Sequence, residues 1–185
     1  PSESVDRLSA VLKYNSHYAA TMSYVDVPSV VITIFAYLHI ISAMGWLGGG
    51  VLFVSTLAPA TGKMSQKARL EFLATAVPRL SWYFFVVATS TIVFGPSLLV
   101  TIPDFSPYLW AGIVTGLAAY LVMLFDFRLF GRISRTAKEL VSGGQAGAPP
   151  PEFLRALREG RISTILTVLL LVVTLMFMVY SGYPF

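Results

Sequence analysis

Cysteine is absent from the 185 residues, and histidine occurs only twice, at His17 and His39. Without thiols there are no disulfides, no thiolate-held zinc or iron-sulfur cluster and no covalently attached c-type haem. Two imidazoles do not build a multi-histidine metal site within one chain. Charge is also scarce: 12% of the residues are charged, against about 25% in an ordinary soluble domain. No phosphate loop, nucleophile motif or carboxylate pair beside a base is present, so no soluble catalytic site is indicated, and the sequence leaves open whether the chain is an enzyme.

Apolar residues are abundant, at 56% with a mean hydropathy of +0.73, and they fall into four long blocks. Each block is long enough to cross a bilayer, which takes about 20 residues. The sequence therefore predicts an all-α, integral membrane four-helix bundle with spans at about 30–58, 80–101, 108–130 and 162–180, the second kinked at Gly95-Pro96. With four spans both termini share one side. That side carries two basic residues, Arg7 and Lys13, whereas the loops after spans one and three carry the other eleven. The asymmetry puts those loops in the cytoplasm and both termini outside, in a multi-pass cell-membrane protein. It also accounts for the net charge of +4 without a nucleic-acid partner.

Residues 1–28 lack the continuous apolar core of a signal peptide and are expected to be an outer tail. Val5, Leu8 and Leu12 have the spacing of a short interfacial helix, and a disordered tail fits equally well. On the basic side, Ser142 to Pro151 reads as a flexible, proline-stiffened linker. The segment after it, EFLRALREG, reads as a membrane-surface or a solvated helix.

An ionisable residue deep in a span is by default a functional candidate. His39 lies about 14 Å from the outer edge of the first span, near mid-bilayer. Helical phase puts Phe35, Ser42, Ala43, Trp46 and Gly50 on its side. Asp126 lies about 27 Å into the third span, at the inner interface, where an ion pair with Arg128, Arg132 or Arg79 is the expected structural role and proton handling the alternative. Gly45 and Gly49 on span one, and Gly112 and Gly116 on span three, have the spacing of close helix contacts, with other membrane subunits or a second copy as candidate partners besides the lipid bilayer. If His39 ligates a b-type haem, the membrane offers no second histidine of the same chain. The sixth position is then open, or filled by a methionine such as Met176 or Met123, or by His39 of a second copy. Copper draws on the same residue types, but no tight His/Met motif is present.

The string Leu38-His39-Ile40-Ile41-Ser42-Ala43-Met44-Gly45-Trp46-Leu47-Gly48-Gly49 resembles the opening helix of four-span proteins related to the copper-resistance CopD family and the HemJ-type protoporphyrinogen oxidases, in an L-H-x-x-x-A-x-x-W-x-G-G pattern. The likeness extends loosely to Arg79-Leu80-Ser81, to the basic exit of span three and to the span count. It implies a haem-b-associated redox protein with His39 as metal ligand and Trp46 beside the porphyrin. The alternatives are a non-catalytic accessory subunit of a larger membrane complex and a copper-handling protein.

Overall fold

A computed structural model describes residues 29–99, 106–143 and 149–181. Helix α1 (Ser29–Leu52) continues through a π-helical turn (Phe53–Leu57) into α2 (Ala58–Lys63). Helix α3 (Gln66–Phe94) leads across Gly95 into the short α4 (Pro96–Leu99), and α5 (Pro107–Ser142) and α6 (Pro151–Tyr180) follow. No strand occurs among the described residues. Four stretches, Val30–Lys63, Gln66–Leu99, Pro107–Ser142 and Pro151–Tyr180, are long and apolar enough to cross a membrane. The expected all-α four-helix bundle is thus the fold. The outer tail with its candidate interfacial helix, the turn between spans two and three, residues 144–148 of the linker and the last four residues lie outside the described residues.

The helix starts follow from local chemistry. Ser106 Oγ accepts from the Leu109 N–H at 3.2 Å ahead of Pro107, whose missing N–H is no loss in a first turn. Ser65 Oγ caps α3 more loosely, accepting from Ala68 N at 3.4 Å. Inside the helices proline is harder to place, because it removes a donor and crowds the carbonyl four residues back. Ahead of Pro59 the helix widens into the π turn, with Ala58 N–H reaching back to Phe53 O. Pro78, within α3, deprives Ala74 O of its donor, and the buried Ser134 hydroxyl of α5 points at that oxygen from 3.5 Å. At Gly95, where the sequence predicts a kink, the helix is interrupted between Phe94 and Pro96.

Helix α5 lies along both α3 and α6. Its 36 residues reach about 54 Å, far more than a hydrocarbon core of roughly 30 Å can cover. The surplus builds a second core at the basic end. Leu70, Leu73, Ala74 and Val77 of α3 recur at helical spacing and meet Leu129, Ile133 and Ala137 of α5 and Phe153 of α6, with Leu157 packed alongside. This corrects the reading of EFLRALREG as a surface or solvated helix. Phe153 is buried in the shared core, while Leu154, Arg155 and Arg158 are exposed. Deeper in the spans, Trp46, Ala88, Ala119, Met123 and Leu171 form a separate apolar cluster.

Glycines set the closest approaches. A Cβ on Gly112 would lie 3.0 Å from Met178 Cε, and one on Gly116 3.4 Å from Thr174 Cγ2, so both face α6. The Thr174 hydroxyl bonds across that contact to Thr115 at 2.9 Å. On α1, a Cβ at Gly45 would come within 3.0 Å of Tyr83 Oη, at Gly49 within 3.0 Å of Phe84, and at Gly50 within 2.9 Å of Val168.

If the basic-end core holds the helices together, Phe153→Ala should destabilise the protein in detergent by about 3–5 kcal/mol. The exposed neighbour Leu154→Ala should stay within about 0.5 kcal/mol of wild type. Reversible unfolding followed by circular dichroism measures both.

Candidate functional site

His39 is half-buried, and its Nδ1 lies 2.8 Å from Thr91 O of α3. A carbonyl oxygen only accepts, so Nδ1 carries the hydrogen, and in the neutral imidazole Nε2 is then the nitrogen with the lone pair. Thr91 O also receives the Gly95 N–H at 3.0 Å. The imidazole fits there because Gly95 has no side chain: a Cβ would stand 3.1 Å from His39 Cε1 and 3.2 Å from Nδ1. One turn earlier on α1, Phe35 packs against Phe94 with ring centroids 5.4 Å apart. The tie therefore joins α1 to the broken end of α3. It also fixes the tautomer that presents Nε2 as a ligand, the usual arrangement around metal-binding histidines.

A second polar site lies deeper. Asp126 is 7% exposed, and its carboxyl group faces the Ser163, Thr164 and Thr167 hydroxyls of α6. Those residues recur at helical spacing, so α6 presents them as one stripe. The Thr164 hydroxyl donates to Gly160 O at 2.8 Å. Asp126 Oδ1 and Thr167 Oγ1 find no hydrogen-bond partner among the described residues, although they face one another across the helix contact. Beside them is a cavity of about 50 Å³ walled by Trp46, Phe53, Phe84, Phe130 and Met123. That is room for water, which needs about 10–15 Å³, and the two orphaned oxygens supply the polar partners that water requires. The polar layer is sandwiched between the two apolar clusters, with Met123 one turn above Asp126 and Leu129 one turn below.

The remaining sequence candidates fall in different places. Trp46 is 2% exposed and forms part of the cavity wall, with its ring edge-on to Tyr120 at 6.5 Å. It shares a helix face with His39 but sits about 10 Å further along the axis, and it packs inward. Met176 is 54% exposed on α6, and none of the described contacts joins it to His39. The expected pair of Asp126 with Arg128 does not form. Two residues apart on a helix point to opposite sides, and Arg128 is exposed where Asp126 is buried. The one ion pair among the described residues is Arg155 with Glu159 at 2.9 Å. Gly45, Gly49, Gly112 and Gly116 all serve contacts within the chain.

Sequence reasoning missed the role of Thr164 and Thr167, whose spacing with Ser163 on an otherwise apolar span was the available signal. It also missed that Gly95 makes room for His39. As for cofactors, the imidazole suits an axial ligand. The interior cavity does not suit a porphyrin, being far below the roughly 300–1,000 Å³ of small-molecule sites and lined without His39. Among the described residues no group of three His, Asp or Glu could hold a metal ion. Comparison with protein-family models, with curated proteins and with solved structures finds no match for this chain.

Because Asp126 faces α6 and Arg128 faces outward, the two should be energetically independent. A double-mutant cycle of Asp126→Asn and Arg128→Gln, read by thermal unfolding in detergent, should give a coupling below about 0.5 kcal/mol. Coupling well above that would restore the ion pair.

Proposed function

We propose that this chain is a haem-b-associated integral membrane redox protein with His39 as an axial ligand, in line with the resemblance of its first span to CopD-like and HemJ-like proteins. The observation that carries the reading is the 2.8 Å bond from Nδ1 to Thr91 O, which leaves Nε2 free to donate its lone pair. Bound there, haem b would supply one-electron transfer. The chain's own contribution is positional. Thr91 O fixes the tautomer, Gly95 gives the ring its place, and the Phe35–Phe94 contact braces the same helix pair. Trp46 and Met176 are left out of this site because one packs into the interior and the other is largely exposed.

The accessory-subunit reading loses support, since the glycines expected to meet foreign helices are used against Tyr83, Phe84, Met178 and Thr174 of the same chain. Copper handling gains none, since among the described residues no three His, Asp or Glu form a group that could hold a metal ion. By the charge asymmetry the basic-end core faces the cytoplasm and the His39 end of the bundle lies toward the outer side.

Purified after expression with ample haem and gentle solubilisation, the protein should show a Soret band. His39→Ala should abolish that band while unfolding at most about 1.5 kcal/mol less stably, the worth of one hydrogen bond. A wild-type protein without a Soret band overturns the haem reading. For orientation, a cysteine placed between Ser142 and Pro151 should resist impermeant thiol reagents in intact cells and react once the cells are opened. Labelling from outside would reverse the topology.

A further inference from the structure

Between α3 and α5 at the start of the basic end lies a groove of about 390 Å³, walled by Trp82, Phe127, Arg128, Gly131, Arg132 and Arg135. Arg128, Arg132 and Arg135 recur at i, i+4 and i+7, so the three guanidinium groups share one stripe of α5. All three are exposed, and among the described residues none pairs with a carboxylate. Arg135 only bends back, with Nε 3.4 Å from Gly131 O. On the same helix Glu139 lies a turn beyond the groove and is solvent-exposed, and Asp126 faces the other way, into the α6 contact.

Depth gives a second, independent argument. From Tyr108 to Phe127 the helix rises about 28 Å, close to the thickness of a hydrocarbon core, so Arg128 begins at headgroup level. The upper wall of the groove is aromatic: Trp82 stands edge-on to Phe127 at 5.5 Å and to Phe85 at 5.6 Å, as befits an interfacial belt. The groove therefore changes from aromatic to cationic along the membrane normal, which is the polarity of a phospholipid. Gly131 sits in the middle of the arginine stripe, and a Cβ built there meets nothing within 4 Å. Its missing side chain leaves the space open.

We propose that this groove binds the phosphate of an anionic phospholipid, with the guanidinium groups of Arg128, Arg132 and Arg135 on the headgroup and the acyl chains against Trp82 and Phe127. Guanidinium groups suit the task because their planar fork matches phosphate oxygens. The site is independent of His39 and of any haem.

The test uses the full chain in mild detergent, titrated with phosphatidylglycerol, with phosphatidylcholine and with inorganic phosphate, and read by native mass spectrometry and thermal unfolding. Phosphatidylglycerol should bind with retention through collisional activation and raise the unfolding temperature, and phosphatidylcholine should do neither at the same concentration. Arg128→Gln with Arg132→Gln should weaken phosphatidylglycerol binding roughly tenfold or more. Arg155→Gln with Arg158→Gln, on α6, should leave it unchanged. Gly131→Leu fills the groove while removing a helix-weakening glycine, so it should keep or raise the lipid-free unfolding temperature and still weaken the lipid. Equal binding of the two lipids, or groove variants that bind as wild type does, overturns the proposal. Inorganic phosphate displacing the lipid at equal concentration would assign the arginines to a free anion and overturn the lipid as occupant.

Discussion

A helix backbone in hydrocarbon has no water to turn to, and every carbonyl or N–H that loses its partner must find another within the protein. This chain places three prolines within its first two spans, and around each the structure departs from a plain helix. The first span widens to a π turn ahead of Pro59. Opposite Pro78 a buried serine of α5 points at the orphaned Ala74 carbonyl. At Gly95-Pro96 the helix breaks, and the glycine that permits the break also admits His39, whose Nδ1 bonds the carbonyl one turn back. The candidate ligand is thus part of how α1 is held to α3.

The same constraint accounts for the layering of the interior. Two apolar clusters, one in the membrane and one at the basic end, are separated by a layer in which Asp126 meets the hydroxyl stripe of α6 beside a small cavity. The lower cluster lies where helices outrun the bilayer, so water drives its burial. The upper one rests on packing and close approach, and for that reason glycines 45, 49, 50, 112 and 116 all fall there. Outside, the transition between the two regimes carries the aromatic belt and the arginine stripe.

Hydropathy made the four spans legible, because twenty apolar residues in a row have few other uses. It did not show the helix ends, since an apolar run stops where lipid stops and a helix stops where its backbone does. Hence the segment around Phe153 reads as a surface helix until its partners on α3 and α5 are seen. Helical phase puts Trp46 and Gly50 on the His39 side of α1, where both are buried, but phase ignores height, and Trp46 serves a cavity about two turns away from His39. Asp126 and Arg128 were paired by proximity in sequence where their directions around the helix forbid it. The role of Gly95 was out of reach, because it depends on which helix lies opposite.

The account rests on the direction of one hydrogen in His39. Nitrogen-15 NMR of the histidine-labelled protein in bilayers, prepared without haem and with His17→Gln to leave a single signal pair, reads it directly. The account predicts a hydrogen on Nδ1 and a bare Nε2. A hydrogen on Nε2 with Nδ1 bare would contradict both the tie to Thr91 and the ligand role built on it.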